Sequence, residues 1–214
     1  HVSTDKIKSI LDIGCALGEF TSMVKDHFPD SNILGVDIAD EAILKCRKKF
    51  NNIGFETSSL PELELPRSGF NLISALEVIY YVGEDKIENS LQRIHDILGK
   101  GGYVLISTYL NKPPFLTSDN FKNTLSKYFN IVDESIRYHG LYTPCETLVR
   151  QSMNSIQQLT QIAEPSSRLA INEYIESGVK LLGNEELLNN LNEYARQNMG
   201  SKTASHSIIL AVKR

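Results

Sequence analysis

The sequence predicts an α/β protein with a doubly wound, largely parallel sheet, and three observations carry that prediction. Between Ser9 and Thr108, short apolar runs alternate with amphipathic stretches in a strand–helix rhythm. One of those runs, Phe70–Leu76, is almost continuously apolar, the pattern of a strand covered on both faces. The first run leads into a turn with two glycines, Gly14-Cys15-Ala16-Leu17-Gly18, which opens a helix. Strands alternating with helices join as parallel neighbours through right-handed crossovers.

In chain order, Ser9–Ile13 reads as a buried strand. Glu19–His27 follows as a helix with Phe20, Met23 and Val24 on its inner face, stopped by Pro29-Asp30. Asn32–Ile38 is the second strand. Asp40 is expected to cap a helix reaching Lys49, with Ile43 and Leu44 inward and Lys45, Arg47, Lys48 and Lys49 outward. Those cations lie where the helix dipole favours them, so they read as a solvated face. Ile53–Thr57 is the third strand, Leu60–Gly69 a loop rich in Pro and Glu, and Phe70–Leu76 the fourth strand. Asp85–Leu98 is an amphipathic helix with Ile87, Leu91, Ile94 and Leu98 at helical spacing. Gly99 is expected to end it in a left-handed conformation, and Gly101-Gly102 to turn the chain into a fifth strand, Tyr103–Thr108. Beyond Pro113-Pro114, Asn120–Tyr128 reads as a helix, Ile131–Tyr138 as the sixth strand and Ser205–Val212 as the seventh. Between the last two lies a polar helical stretch from about Glu146 to Asn198, with breaks near Pro165 and Gly183.

The totals narrow the function. A chain of 214 residues suggests one domain, or one domain with a substantial insertion. Hydrophobic residues at 41% and charged residues at 22% allow a real core. A net charge of -4 offers no footprint for a polyanion, so nucleic acid is not the expected partner. No apolar run reaches the roughly 20 residues of a membrane span, and no signal peptide is evident. Three scattered cysteines, Cys15, Cys46 and Cys145, suit a reducing cytoplasm better than a disulfide framework. Neither a CxxC motif nor a Cys/His cluster points to a metal.

In an open parallel sheet the ligand sits at the carboxyl ends of the strands, at the switch point beside the first strand. The Gly14–Gly18 turn occupies that point. Its glycines let backbone approach a ligand, and the following helix offers free N–H groups. Dinucleotides and S-adenosylmethionine both use such a turn. In the dinucleotide register G-x-G-x-x-G/A the chain reads Gly14-x-Ala16-x-x-Glu19, which sets a carboxylate where a small residue belongs. Asp12 and Glu19 together are expected to repel a pyrophosphate and to welcome a cationic amino-acid tail. Asp37, at the end of the second strand, is within reach of a ribose diol in either case.

These segments resemble the class I S-adenosylmethionine-dependent methyltransferases. "ILDIGCALGEFT" is similar to their first motif, with Ala16 where a glycine is common, and "ILGVDIAD" to their second. "FNLISALEVIYYV" resembles the fourth-strand motif, with Asn71 for a frequent aspartate, and "ILGKGGYVLIST" the helix and fifth strand that follow. Within the superfamily, "GCALGEFT" with "EVIYYV" is most similar to the NodS-like small-molecule N-methyltransferases. The resemblance covers Ser9 to Thr108, about half the chain. It implies a Rossmann-like seven-stranded sheet with the last strand antiparallel. It also implies S-adenosyl-L-methionine as methyl donor, S-adenosyl-L-homocysteine as product, and a cofactor site formed by Asp12, Gly14, Ala16, Gly18, Asp37, Ile38, Ser59, Leu60 and Leu76. Asp37 would hold the ribose hydroxyls and Ile38 would pack on adenine. Ser59 stands where an acid often accepts from the adenine amino group, with the Leu60 N–H aimed at the ring; Glu56 takes that part if the strand is shifted.

Methyl transfer is an in-line displacement from an activated sulfonium, so alignment and exclusion of water can supply much of the catalysis. The catalytic candidates are Glu77, Tyr81 and His139, with Tyr80 and Tyr109 lining the acceptor side. Glu77 would hold an amine or act as base; its bland reading is a helix cap, and that of the tyrosines is packing. A lone histidine such as His139 is more often a loop or packing residue, His95 reads as surface, and Cys15 as a small buried filler.

Residues 1–140 and 201–214 are expected to form the cofactor-binding domain. Residues 141–200 are a helical insertion between strands 6 and 7, serving as a lid or acceptor-binding element, or else as a packing or dimerisation element. Eight residues precede the first strand, where the related enzymes place helices, and His1 is not an initiator methionine. Either the insertion takes over the closing role or part of the chain is missing. The expected function is methyl transfer to an N or O nucleophile of a small molecule by a monomer or homodimer. The alternatives are a methyltransferase of tRNA or protein and a non-catalytic S-adenosylmethionine-binding protein, with a nucleotide-dependent oxidoreductase behind them.

Overall fold

The computed structural model describes residues 6–65, 69–139, 142–159, 164–199 and 204–214. Part of the Leu60–Gly69 loop, His1, and the domain limits expected at 140/141 and 200/201 lie outside the described residues. The elements run β1 (Ser9–Ile13), α1 (Glu19–His27), β2 (Asn32–Asp37), α2 (Asp40–Lys49), β3 (Gly54–Thr57), β4 (Phe70–Leu76), α3 (Ile87–Ile97), β5 (Leu98–Tyr109), α4 (Ser118–Leu125), β6 (Phe129–Tyr138), α5 (Tyr142–Leu159), α6 (Pro165–Leu182), α7 (Glu185–Asn198) and β7 (Ala204–Lys213).

All seven strands form one sheet in the order β3-β2-β1-β4-β5-β7-β6. β1 is flanked in parallel by β2 and β4, which makes it the switch point. β5 runs parallel to β4, and β7 lies antiparallel to β5 with Tyr109 opposite His206. β1 lies inside the sheet and contributes Ile10, Leu11 and Ile13 to the core; Ile73 and Ala75 of the central β4 and Val104 and Ile106 of β5 are buried as well. Asn71 ties the starts of two strands together, its Oδ1 accepting from the Lys8 and Ser9 N–H groups.

The helices follow from capping and spacing, with some corrections. α1 begins on Gly18 and carries Glu19 in its first turn. Its buried residue is Thr21, whereas Met23 is largely exposed. α2 is capped by backbone at Ala39, so Asp40 is the first helical residue, and its carboxylate accepts from Thr57 Oγ1 at 2.6 Å. Ile43 and Cys46 face inward and Leu44 does not, because the next inward position after Ile43 lies three residues on. α3 buries Ile87, Leu91, Ile94 and Ile97 as its spacing requires, and its first turn is a 3₁₀ segment, Glu84–Lys86. Leu98 leaves the helix directly in extended backbone and starts β5, so Gly99 is not a left-handed cap; Gly101 holds the positive φ instead, at 68°. Thr117 caps α4, its Oγ1 accepting from the Asn120 N–H at 3.1 Å. His95 is half-buried against Phe129 rather than on the surface.

The chain divides into two compact units, residues 1–136 with 206–214 and residues 137–205. The first holds the sheet core and the glycine turn. The second contains α5, α6 and α7; Pro165 opens α6, and Asn184 caps α7 by accepting from the Leu187 N–H at 2.8 Å. Among the described residues no helix is long and apolar enough to cross a membrane.

Candidate functional site

The glycine turn is built by backbone and stiffened by two aspartates. The Gly14 and Cys15 N–H groups both donate to the Val36 carbonyl, at 2.8 and 2.9 Å, and the Gly18 N–H donates to the Cys15 carbonyl at 2.8 Å. Gly14 and Gly18 have φ of 76° and 80°. A Cβ on Gly14 would lie 2.3 Å from Val78 Cγ2, so only glycine lets the turn approach the end of β4. Ala16 is also left-handed, at φ 48°, and carries the strain a glycine would avoid.

Asp37 ends β2 and grips the turn. Its Oδ2 accepts from the Ala16 N–H and its Oδ1 from the Ala39 N–H, both at 2.9 Å. Each oxygen keeps acceptor capacity beyond that one bond. Ile38 beside it is 74% exposed, an apolar side chain open to solvent. Ser59 is half-buried, and its carbonyl accepts from the Leu63 N–H at 2.6 Å. The Leu60 side chain is buried, which leaves its backbone as the part able to face a ligand. Glu56 lies opposite Val36 in the sheet register.

The two acids expected to meet a cationic tail do different work. Asp12 is only 3% exposed; its carboxylate accepts from Thr21 Oγ1 at 2.6 Å and from Ser74 Oγ at 2.7 Å. Burial pushes its pKa above the usual carboxylate range, against the pull of those two hydroxyls. It is a floor beneath the turn rather than an open carboxylate. Glu19 is exposed and paired with Lys49 at 2.6 Å, so a cation compensates the charge that was expected to repel a pyrophosphate. Asp12, Gly14, Ala16 and Leu76, with Leu17, Glu19 and Phe20, line one cavity of about 370 Å³. Cys15 also lines it; burial and the nearby Asp12 charge push its thiol pKa up, which leaves it a poor nucleophile.

Past β4 the chain makes a second strained turn. Glu77 has φ 58°, and Ser107 of β5 holds it from two sides. The Glu77 N–H donates to Ser107 Oγ at 2.9 Å, and Ser107 Oγ donates to Glu77 Oε1 at 2.5 Å. The carboxylate is therefore turned toward β5 and does not cap the 3₁₀ turn that follows, Ile79–Tyr81. Its Oε2 lies 3.4 Å from His206 Nε2. The His206 ring stands edge-on to Tyr109, centroids 4.9 Å apart, and Lys112 Nζ lies 5.1 Å from the Tyr109 ring centroid. Tyr80 and Tyr81 stack with centroids 4.4 Å apart, Tyr80 half-buried and Tyr81 exposed. Burial, then the Tyr81 hydroxyl and the Glu77 charge, push the Tyr80 phenol upward, so it stays protonated.

Glu77, Tyr80, Tyr81 and Tyr109 thus belong to the first unit. His139 belongs to the second, where it lines a cleft of about 520 Å³ with Arg137, Glu185, Asn189 and Asn192. The Tyr138 N–H donates to Asn192 Oδ1 at 2.7 Å at the back of that cleft. Sequence reasoning missed Ser107 and His206. The signal was available: an antiparallel last strand begins at the end of the sheet where the parallel strands finish, so its first residues reach the ligand edge.

The comparisons with known proteins agree with this architecture. Residues 10–102 match the methyltransferase domain family. The chain is 24% identical over 148 residues to malonyl-[acyl-carrier protein] O-methyltransferase 2 of Ilyobacter polytropus, covering 68% of this chain and 53% of that protein. The solved MccD protein superposes with a TM-score of 0.64 at 12% identity, covering 100% of this chain and 92% of its own. The N-methyltransferase NodS from Bradyrhizobium japonicum, in complex with S-adenosylhomocysteine, gives a TM-score of 0.53 at 18% identity over 61% of this chain and 69% of its own. At these identities the two structures speak for the fold alone, and the chain spans about half the length or less of the curated relatives it matches. The fold is the Rossmann-like fold of class I S-adenosylmethionine-dependent methyltransferases. Beyond the fold, the similarity to a methyltransferase domain extends over residues 10–102, less than half of the chain.

Proposed function

We propose that the chain transfers a methyl group from S-adenosylmethionine to a nitrogen or oxygen nucleophile of a small molecule. The observation that carries this reading is the Asp37 clasp, a carboxylate at the end of β2 that holds the strained turn over the 370 Å³ cavity. The residues present fit a nucleoside with a cationic tail: Asp37 for the ribose diol, the exposed Ile38 for the base, Ser59 and the Leu60 backbone for its edge, and the cavity above Asp12 for the amino-acid tail. Bound there, the cofactor supplies an electrophilic sulfonium methyl. The chain's own part is to align the acceptor and hold its proton or charge. Glu77 is fixed for that by Ser107, while Tyr80, Tyr81 and Tyr109 supply aromatic surface at the same edge of the sheet.

A carboxylate oxygen enters among the acceptors because one relative is named as a malonyl-[acyl-carrier protein] O-methyltransferase. Free cysteines, two of them buried, support work in a reducing cytoplasm. Incubation with methyl-labelled S-adenosylmethionine and a panel of amines, phenols and carboxylic acids tests the proposal. Transfer of label to at least one of them is expected. Tight cofactor binding with no transfer to any small molecule, and transfer instead to a carrier protein or tRNA, would overturn the small-molecule reading.

A further inference from the structure

We propose that His206 is the proton acceptor of the transfer site, with Glu77 as the carboxylate that stabilises its charged form. This deepens the methyl-transfer reading and rests on it. Three independent features converge on the pair. Glu77 adopts a left-handed backbone that is strained for a non-glycine residue, and such strain persists where surrounding structure enforces it. Ser107 supplies that enforcement by bonding both the Glu77 N–H and Oε1, which leaves Oε2 directed at His206 Nε2, 3.4 Å away. The antiparallel pairing of β7 with β5 sets His206 opposite Tyr109, at the carboxyl edge where Leu76 lines the cofactor cavity. The two side chains keep 25% and 39% of their surface exposed, so the pair is open to a small molecule.

The step is a proton transfer coupled to displacement. As the acceptor's X–H bond breaks, its proton bonds to the His206 imidazole. The freed electron pair bonds to the methyl carbon, and the C–S pair stays on sulfur as an uncharged thioether. The imidazolium faces the Glu77 carboxylate until it gives its proton to water. Among the described residues, the groups that face His206 include Glu77 from the end of β4 and Tyr109 from β5. Lys112 lies beyond the Tyr109 ring, and Tyr80 stands beside Glu77.

Calorimetry with two probes tests this without an identified acceptor: S-adenosylhomocysteine, and sinefungin, whose amine stands in place of the sulfonium methyl. Glu77→Gln and His206→Phe are each expected to weaken sinefungin by about tenfold, the loss of one charge-assisted partner, and S-adenosylhomocysteine by less than about twofold. His206→Phe keeps the ring edge on Tyr109, and the retained S-adenosylhomocysteine affinity reports that the variants are folded. Equal effects on both probes, or none, would overturn the proposal while leaving the cofactor reading intact. No binding of either probe to the unmutated protein would overturn both.

Discussion

Gly14→Ala should unfold the cofactor turn, and the structure gives the size of the effect. The substitution adds a Cβ to a residue at φ 76°, a conformation that costs an L-residue about 1–2 kcal/mol. It also places that Cβ 2.3 Å from Val78 Cγ2, so Val78 must move within a packed turn, at a further cost of about 1–3 kcal/mol. The sum is about 2–5 kcal/mol, a large share of the stability of an ordinary domain. Urea unfolding followed by circular dichroism measures it as a shift in midpoint at constant slope. The same substitution in a Val78→Ala background separates the two parts, because the colliding methyl is gone. There Gly14→Ala should cost only the backbone part, leaving a coupling of about 1–3 kcal/mol between the sites. A cost below about 1 kcal/mol, or an equal cost in both backgrounds, would refute the close approach of this turn to the end of β4.

Ala16→Gly should act in the opposite sense: it relieves a left-handed alanine at φ 48°, offset by the larger entropy of unfolded glycine, for a net gain of up to about 1 kcal/mol by the same urea assay. A loss greater than that would contradict the strain. Asp12→Asn should change how stability depends on pH. Burial raises the native pKa of Asp12 above its ordinary 3.8, so its contribution is present below that value and is lost as pH rises through the raised one. The variant removes that loss, so its stability relative to the unmutated protein should climb across the same interval; a difference flat in pH would sink the assignment. In the same variant S-adenosylhomocysteine should bind more weakly by calorimetry, since the amino-acid tail loses its negative floor.

Much of the sheet was legible because periodicity reports burial directly. Phe70–Leu76 could only be an interior strand, and the spacing of Ile87, Leu91 and Ile94 could only be a helix with one buried face. Helix ends were less legible. Asp40 and Gly99 are residues that often cap, yet tertiary bonds used them otherwise: Thr57 takes the Asp40 carboxylate, and Leu98 enters β5 at once. The turn and its aspartates were visible in order, but not their environments. Whether a carboxylate is buried under two hydroxyls, as Asp12 is, or paired with a lysine thirty positions away, as Glu19 is, depends on contacts that no local pattern encodes. The Glu77–Ser107–His206 cluster joins three strands distant in sequence, and only the antiparallel pairing of β7 brings its histidine to the site.

In the proposed site, the turn and the Asp37 clasp hold the nucleoside of S-adenosylmethionine. Calorimetric titration of the unmutated protein and of Asp37→Ala with S-adenosylhomocysteine and with NADPH tests it most directly. Binding of S-adenosylhomocysteine but not NADPH is expected, with an affinity in Asp37→Ala at least about tenfold lower. Tight NADPH binding with no affinity for S-adenosylhomocysteine, or an unchanged affinity in Asp37→Ala, would contradict it.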